Sequence, residues 1–205
     1  MKIIGLCGGS GSGKGTVCLE FLKHGIPSID TDAVYHEMTS QDSPCMRDLT
    51  SEFGSGIISE TGGLDRARLR EIIFADGDSA SRLKKLNKIT HGHILDETQK
   101  RISSYEVMGG KFVIVDAPLL FESGFDSRCH ITICVSAPLD TRIMRIVARD
   151  GISPLAAEKR IKSQIPDEEL RAKCDYEIIN DGNIQELEEK ISALVNILNE
   201  NYYER

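Results

Sequence analysis

Residues 8 to 16 read G-G-S-G-S-G-K-G-T, a spacing of glycines and lysine suited to holding a phosphate-type anion. Glycines at alternate positions let successive backbone N–H groups turn toward one ligand. A helix starting after the loop adds partial positive charge, and Lys14 adds a full one for the β- and γ-phosphates of a nucleotide. Gly9, Ser10, Gly11, Ser12, Gly13, Lys14, Gly15 and Thr16 are therefore the candidate nucleotide-binding residues, with Lys14 also a candidate catalytic cation. Such loops usually place a magnesium-binding hydroxyl directly after the lysine. Here Gly15 stands in that place and Thr16 is the next hydroxyl. Mg²⁺ dehydrates reluctantly and keeps several waters, so the site reads as functional with looser protein ligation of the metal. Asp116, closing "KFVIVDAP", is the carboxylate that orders a metal-bound water, or else a solvated strand-end charge.

Moving a phosphoryl group also requires an acceptor hydroxyl, a carboxylate near it, and cations around the group in transit. In "IPSIDTDAV", Asp30 and Asp32 follow a short strand. Along an extended segment the two point opposite ways, and the later one reaches beyond the sheet edge. By position alone, a helix cap is an equal role for Asp32. Arg142, Arg145 and Arg149, offset by three and seven, share one helical face. Residues 138–162 hold six basic and three acidic residues, a cationic stretch in a chain of net charge −7. That stretch is either a solvated helix face or, beside a phosphate loop, a set of donors for transferring oxygens. Arg66 and Arg70, four apart, also share a face.

The elements that position these residues follow from periodicity. "KIIGLC", "IPSID", "KFVIVDAP", "HITICVSAP" and "YEIIND" are short, unalternating apolar runs, as expected of strands buried on both faces. Helical patterns lie between them. Gly25 ends the first, Ser43-Pro44 opens another that Gly54 stops, and Gly151 closes the arginine helix. Ser153-Pro154 and Pro166 open two more, and a C-terminal helix begins at "IQELEEK". A helix-rich stretch fills residues 32–105. The expected architecture is α/β, three-layered, a parallel sheet flanked by helices.

Bulk properties narrow the classes. A chain of 205 residues with 40% apolar and 28% charged residues is an ordinary globular domain in size and make-up. No apolar run approaches the roughly 20 residues of a spanning helix, and the acidic balance argues against a nucleic-acid partner. The six cysteines form no C-x-x-C pair, and most read as small buried hydrophobes in a reducing cytoplasm.

Across nearly its whole length the chain resembles the dephospho-coenzyme A kinases. The resemblance is carried by "GLCGGSGSGKGTV", "GIPSIDTDAVYHEM", "GGLDRARLREIIF", "LNKITHGHI", "VDAPLLFESGFD", "RIMRIVARD", "AEKRIKSQ" and "CDYEIINDG". It implies a single P-loop kinase domain over 1–205, with a helical substrate-binding insertion at about 32–105 and a lid at about 138–172. It implies ATP and Mg²⁺, dephospho-coenzyme A as acceptor, a cytoplasmic setting, and a monomer or small homo-oligomer.

Carried residue by residue, the resemblance makes Asp32 the base or positioning group for a ribose 3′-hydroxyl, and Arg142 the principal lid contact. Arg66 and Arg70 meet the acceptor's pyrophosphate or else are exposed helix charges, and His91 contacts the acceptor or else caps or packs locally. Leu119 lies on the acceptor side, and Asn180 and Gly182 lie at the adenine. Two positions depart from the family pattern: Gly15 replaces a hydroxyl residue, and Gly92 stands where proline usually follows the histidine.

Three rival readings remain distinguishable. A nucleoside monophosphate kinase shares G-K-G-T but not "PLLFE" or "DYEIINDG". A GTPase needs N-K-x-D, and "NKIT" has Thr90 in the aspartate's place. A non-catalytic nucleotide-binding scaffold would not need Asp32.

Overall fold

The computed structural model describes residues 1–75 and 77–203. The chain divides into two compact units, one of Met1–Ile29 with Tyr105–Arg205, the other of Asp30–Ser104.

The first unit is built on a sheet of five strands. They are β1 (Lys2–Cys7), β2 (Ser28–Asp30), β3 (Phe112–Asp116), β4 (Ile131–Ser136) and β5 (Tyr176–Ile179), in spatial order β2-β3-β1-β4-β5. β1 runs parallel to both β3 and β4, and β4 parallel to β5. Every residue of β4 is buried, as are the first four of β3, which explains why these runs do not alternate. Helix α1 (Lys14–Lys23) and the C-terminal helix α9 (Ile184–Tyr202) cover one face. Val17 and Phe21 of α1 and Ile191 and Leu198 of α9 pack on Ile4, Leu6, Ile114 and Ile133, all with no exposed surface. Each such side chain contributes about 1.5–3 kcal/mol relative to exposure. Helices α6 (Leu139–Asp150), α7 (Pro154–Lys162) and α8 (Asp167–Ala172) lie between β4 and β5 in the chain, and α8 packs on β4.

The punctuation read from the sequence holds. Gly25 follows the α1 cap with φ +74°, Gly151 caps α6 at φ +66°, and Pro138, Ser153 and Pro166 precede α6, α7 and α8. The order of strand ends puts the C-terminal edges of β1, β3 and β4 together, where open α/β sheets bind ligands.

The second unit is helical: α2 (Thr31–Thr39), α3 (Pro44–Phe53), α4 (Arg66–Phe74) and α5 (Ser79–Val107), the last three residues of α5 belonging to the first unit. Cys45, Met46, Leu49, Ile57, Leu69 and Ile73 form its core. Ser43 caps α3 by accepting from Met46 N–H at 3.0 Å, Pro44 takes the first helical position, and Gly54 ends the helix at φ +87°. Among the described residues no helix is long and apolar enough to cross a membrane.

Candidate active site

The glycine loop joins β1 to α1, and its conformation explains its composition. Gly13, the α1 N-cap, has φ +93°, and no side chain among the described residues caps the helix. The N–H groups that open α1 therefore remain for an anion. Gly11 has φ +79°, and a Cβ there would lie 2.6 Å from the Arg142 carbonyl; at Gly13 a Cβ would strike Asn180. At Gly15 a Cβ would meet nothing within 4 Å. Gly15 and Thr16 are exposed on the first turn, and Ser12 is buried beneath the loop.

Lys14 folds back over this cradle. Its Nζ donates to the Gly8 carbonyl at 3.2 Å and lies 3.9 Å from Asp116 Oδ1, both side chains about 15% exposed. Asp116 stands opposite Leu6 in the β1–β3 register, so the strand pairing itself brings the carboxylate to the loop. It is not the solvated strand end that the sequence left open. Among the described residues, no group of three or more His, Cys, Asp or Glu could hold a metal ion. Thr16 and Asp116 carry oxygens of the kind that reaches a hydrated Mg²⁺ through its waters. The backbone cradle and lysine fit a nucleotide's phosphates on the same chemistry.

The arginine face of α6 divides. Arg142 is only 4% exposed. Its Nε donates to the Ser10 carbonyl at 2.8 Å and its Nη1 to both oxygens of Asp167, at 2.8 and 2.6 Å. Arg145 donates to the carbonyls of Gly11 and Ser12, at 3.3 and 3.2 Å, and to the Asn180 carbonyl at 3.2 Å. Arg149 instead lies exposed and pairs with its neighbour Asp150 at 2.7 Å. That pairing, with Arg160 adding to it, holds the Asp150 carboxyl at about 2. A solvated face thus describes Arg149 but not Arg142 or Arg145.

Asn180 is buried and donates from Nδ2 to the Ser12 carbonyl at 2.9 Å, bracing the loop from β5. Gly182 is exposed, and a Cβ there would collide with Glu186 at the start of α9, whose N-cap is Asn183. Leu119 is 53% exposed in the turn after β3.

In the second unit the D-x-D stretch differs from its extended reading. Asp30 ends β2 and is the α2 cap, accepting from Asp32 N–H at 2.9 Å and Ala33 N–H at 3.1 Å. Asp32 is therefore not the cap but sits in the first helical turn, exposed. It lines a cleft of about 530 Å³ with Tyr35, His36, Arg66, Arg70 and Phe74. Arg66 Nη2 is 3.0 Å from His36 Nδ1 and its guanidinium lies 5.7 Å from the Tyr35 ring centre. Burial pushes the Tyr35 hydroxyl upward. The cleft thus unites Asp32, Arg66 and Arg70. His91 is on α5 and does not line it, while its neighbour His93 pairs with Asp48 at 2.7 Å.

Three loop-holding residues carry no local signal of that role. Gln164 accepts from Ser10 N–H at 2.8 Å across 154 positions of chain, Asp167 anchors Arg142, and Arg145 joins loop to β5. Only proximity to the loop in space reveals them.

Comparison with known proteins identifies the family and the fold. The family model described as dephospho-CoA kinase matches residues 2–186. A dephospho-CoA kinase of Thermobifida fusca is 34% identical over 95% of this chain and 94% of its own length. A crystal structure from Thermus thermophilus superposes with TM-score 0.79 at 32% identity, covering 96% of this chain and 97% of the other. The dephospho-CoA kinase of Campylobacter jejuni superposes with TM-score 0.69 at 25% identity, covering 98% of this chain and 99% of its own.

Proposed function

This chain belongs to the dephospho-CoA kinase family, and from that premise we propose that it transfers the γ-phosphoryl group of ATP to the ribose 3′-hydroxyl of dephospho-coenzyme A. The products are coenzyme A and ADP, the last step in making coenzyme A. The family match over residues 2–186 carries the acceptor's identity. The loop supports the donor: the opening N–H groups of α1 and Lys14 Nζ surround a position suited to β- and γ-phosphates.

In this reading Lys14 neutralises charge on the transferring group. Asp116 and Thr16 are the residues that would hold the accompanying hydrated cation. Mg²⁺, when bound, would supply charge neutralisation to the transferring phosphoryl group. Asp32 holds the 3′-hydroxyl and accepts its proton late, since a loose transition state asks for little proton removal before the phosphoryl group has left ADP. Arg66 and Arg70, beside Asp32 in one cleft, take the acceptor's pyrophosphate. Segment 138–172 acts as the lid, and Arg142 is its principal contact, held to the loop by the Ser10 carbonyl and to the lid by Asp167. Excluding water there limits hydrolysis of ATP. Asn180 keeps the adenine end of the site in place through its bond to the loop.

A panel offering dephospho-coenzyme A, AMP, CMP and UMP with MgATP tests the proposal. Transfer should occur to dephospho-coenzyme A, and Asp32→Asn should lower kcat by about 10²- to 10⁴-fold. Preference for a monophosphate would favour a nucleoside monophosphate kinase. ATP binding with no transfer to any acceptor would favour a scaffold.

A further inference from the structure

Cys7, Cys134 and Cys174 are far apart in sequence but meet directly beneath the glycine loop. Cys7 and Cys134 face each other in the β1–β4 register, and Cys7 is the residue before Gly8. Cys174, between α8 and β5, brings its Sγ to 3.5 Å from the Cys7 Sγ. Its position is pinned by the next residue: the Asp175 carboxylate accepts from the Thr132 N–H and hydroxyl, both at 2.8 Å. Cys7 and Cys134 are buried, whereas Cys174 is partly exposed.

The thiols are also electronically unequal. Contacts with Cys134 and then Cys7 draw the Cys174 thiol down to about 4, while contacts with Cys134 and then Cys174, together with burial, push the Cys7 thiol far above the ordinary range. Cys174, the partly exposed thiol of the three and the one drawn toward its thiolate form, is the best placed to meet an oxidant, for which the thiolate is the nucleophile.

We propose that Cys174 is a peroxide-modification site and that Cys7 resolves it, forming a disulfide at the base of the phosphate loop. In the first step the Cys174 thiolate attacks the distal oxygen of a hydroperoxide. An S–O bond forms, the O–O bond breaks, and the alkoxide or hydroxide leaves and takes a proton. In the second step the Cys7 sulfur attacks the Cys174 sulfenic acid. The S–S bond forms, the S–O bond breaks, and the Cys7 proton leaves with the hydroxide as water. The two sulfurs lose two electrons in total, which reduce the O–O bond; a dithiol reverses the change.

Because Cys7 is bonded to Gly8, drawing its sulfur from 3.5 Å to bonding distance pulls on the first residue of the loop. The loop has little freedom to absorb this. Gly8 lies against the Val135 carbonyl, and a Cβ at Gly9 would fall on Arg142. Oxidation should therefore misplace the phosphate-binding N–H groups, a consequence that rests on the proposed nucleotide site.

The test exposes reduced, full-length protein to a small excess of hydrogen peroxide. The sample is alkylated, digested without reductant and mapped by mass spectrometry. Binding of a fluorescent ATP analogue is measured on the same samples. A Cys7–Cys174 cross-link should form, and Kd should rise by about tenfold, the change that about 1.4 kcal/mol produces. Dithiothreitol should reverse both. Cys174→Ala should give neither effect and keep the reduced enzyme's Kd, and if that variant does not fold the wild-type map decides alone. A Cys134–Cys174 link, or both cysteines remaining thiols while Cys129 oxidises, overturns the proposal. A Cys7–Cys174 link that leaves Kd unchanged overturns the effect on the loop. Cross-linking is read without kinase activity, so failure of the acceptor assay is a separate result.

Discussion

Arg142 and Arg70 are both read from the sequence as phosphate-directed cations, but their surroundings are opposite. In the loop-bearing unit Arg142 is 4% exposed and bonded to a carboxylate and a loop carbonyl. In the Asp30–Ser104 unit Arg70 is exposed on the cleft wall and, among the described residues, makes no hydrogen bond or ion pair. Its neighbour Arg66 lies 3.0 Å from His36 Nδ1 and near the Tyr35 ring, in the cleft that Asp32 also lines. The loop is thus held in shape by protein groups, as preorganised electrostatics requires. The cleft instead presents charge that an anionic ligand can claim. Changes to the groups that hold the loop should therefore impair ATP binding and kcat, whereas loss of a cleft arginine should act on KM for the acceptor.

The largest expected effect at the loop comes from Gly13→Ala. The substitution forces a side chain into φ +93° and into Asn180, so two costs combine at one residue. The left-handed backbone alone costs about 1–2 kcal/mol. ATP-analogue binding should be abolished, and wild-type affinity would break the claim that the loop is rigid. Arg142→Ala should follow, lowering kcat by about 10² to 10³. It also strands Asp167 and the Ser10 carbonyl. If the variant retained more than half of wild-type kcat, the role assigned to Arg142 would go.

In the cleft, Arg70→Ala should raise KM for dephospho-coenzyme A by about ten- to a hundredfold, the scale of one hydrogen bond to a charged group at about 1.5–3 kcal/mol. kcat at saturation and KM for ATP should stay near wild type. A fall in kcat with KM unchanged would erase the distinction between the two regions.

How much of this was legible before the structure depends on whether the deciding contact is local. Strands β1, β3 and β4 declare themselves through unbroken apolar runs, and the helix ends through glycine, serine and proline, because those signals act within a few residues. The loop is legible for the same reason. Asp32 was misplaced on an extended segment because the capping bonds of Asp30 begin α2 one residue earlier than the strand pattern suggested. The sequence sets Asn180 at the end of a strand, but nothing local announces its bond to the Ser12 carbonyl, 168 positions away. Gln164 and the three meeting thiols are hidden for that reason. Each is an ordinary residue until the β1–β4 and β4–β5 pairings set its neighbours.

Gly15 gives the smallest effect and the finest test of the comparison, since it lies only two residues from Gly13. It is inside α1 with an ordinary backbone, and no atom lies within 4 Å of where a Cβ would go. Sterics therefore do not require glycine there, unlike at Gly11 and Gly13. Gly15→Ala should change stability by no more than about 0.5 kcal/mol, as an exposed substitution away from special features does. Gly15→Ser should be as well tolerated and adds a hydroxyl directly after the lysine, where a magnesium ligand usually sits. If the cation is held through water, the serine variant should reach half-maximal rate at lower Mg²⁺ concentration, and the alanine variant should not. Identical Mg²⁺ titrations for serine and alanine would mean that the metal lies beyond reach of this position. Destabilisation by both would mean that the loop's rigidity extends a full turn into α1.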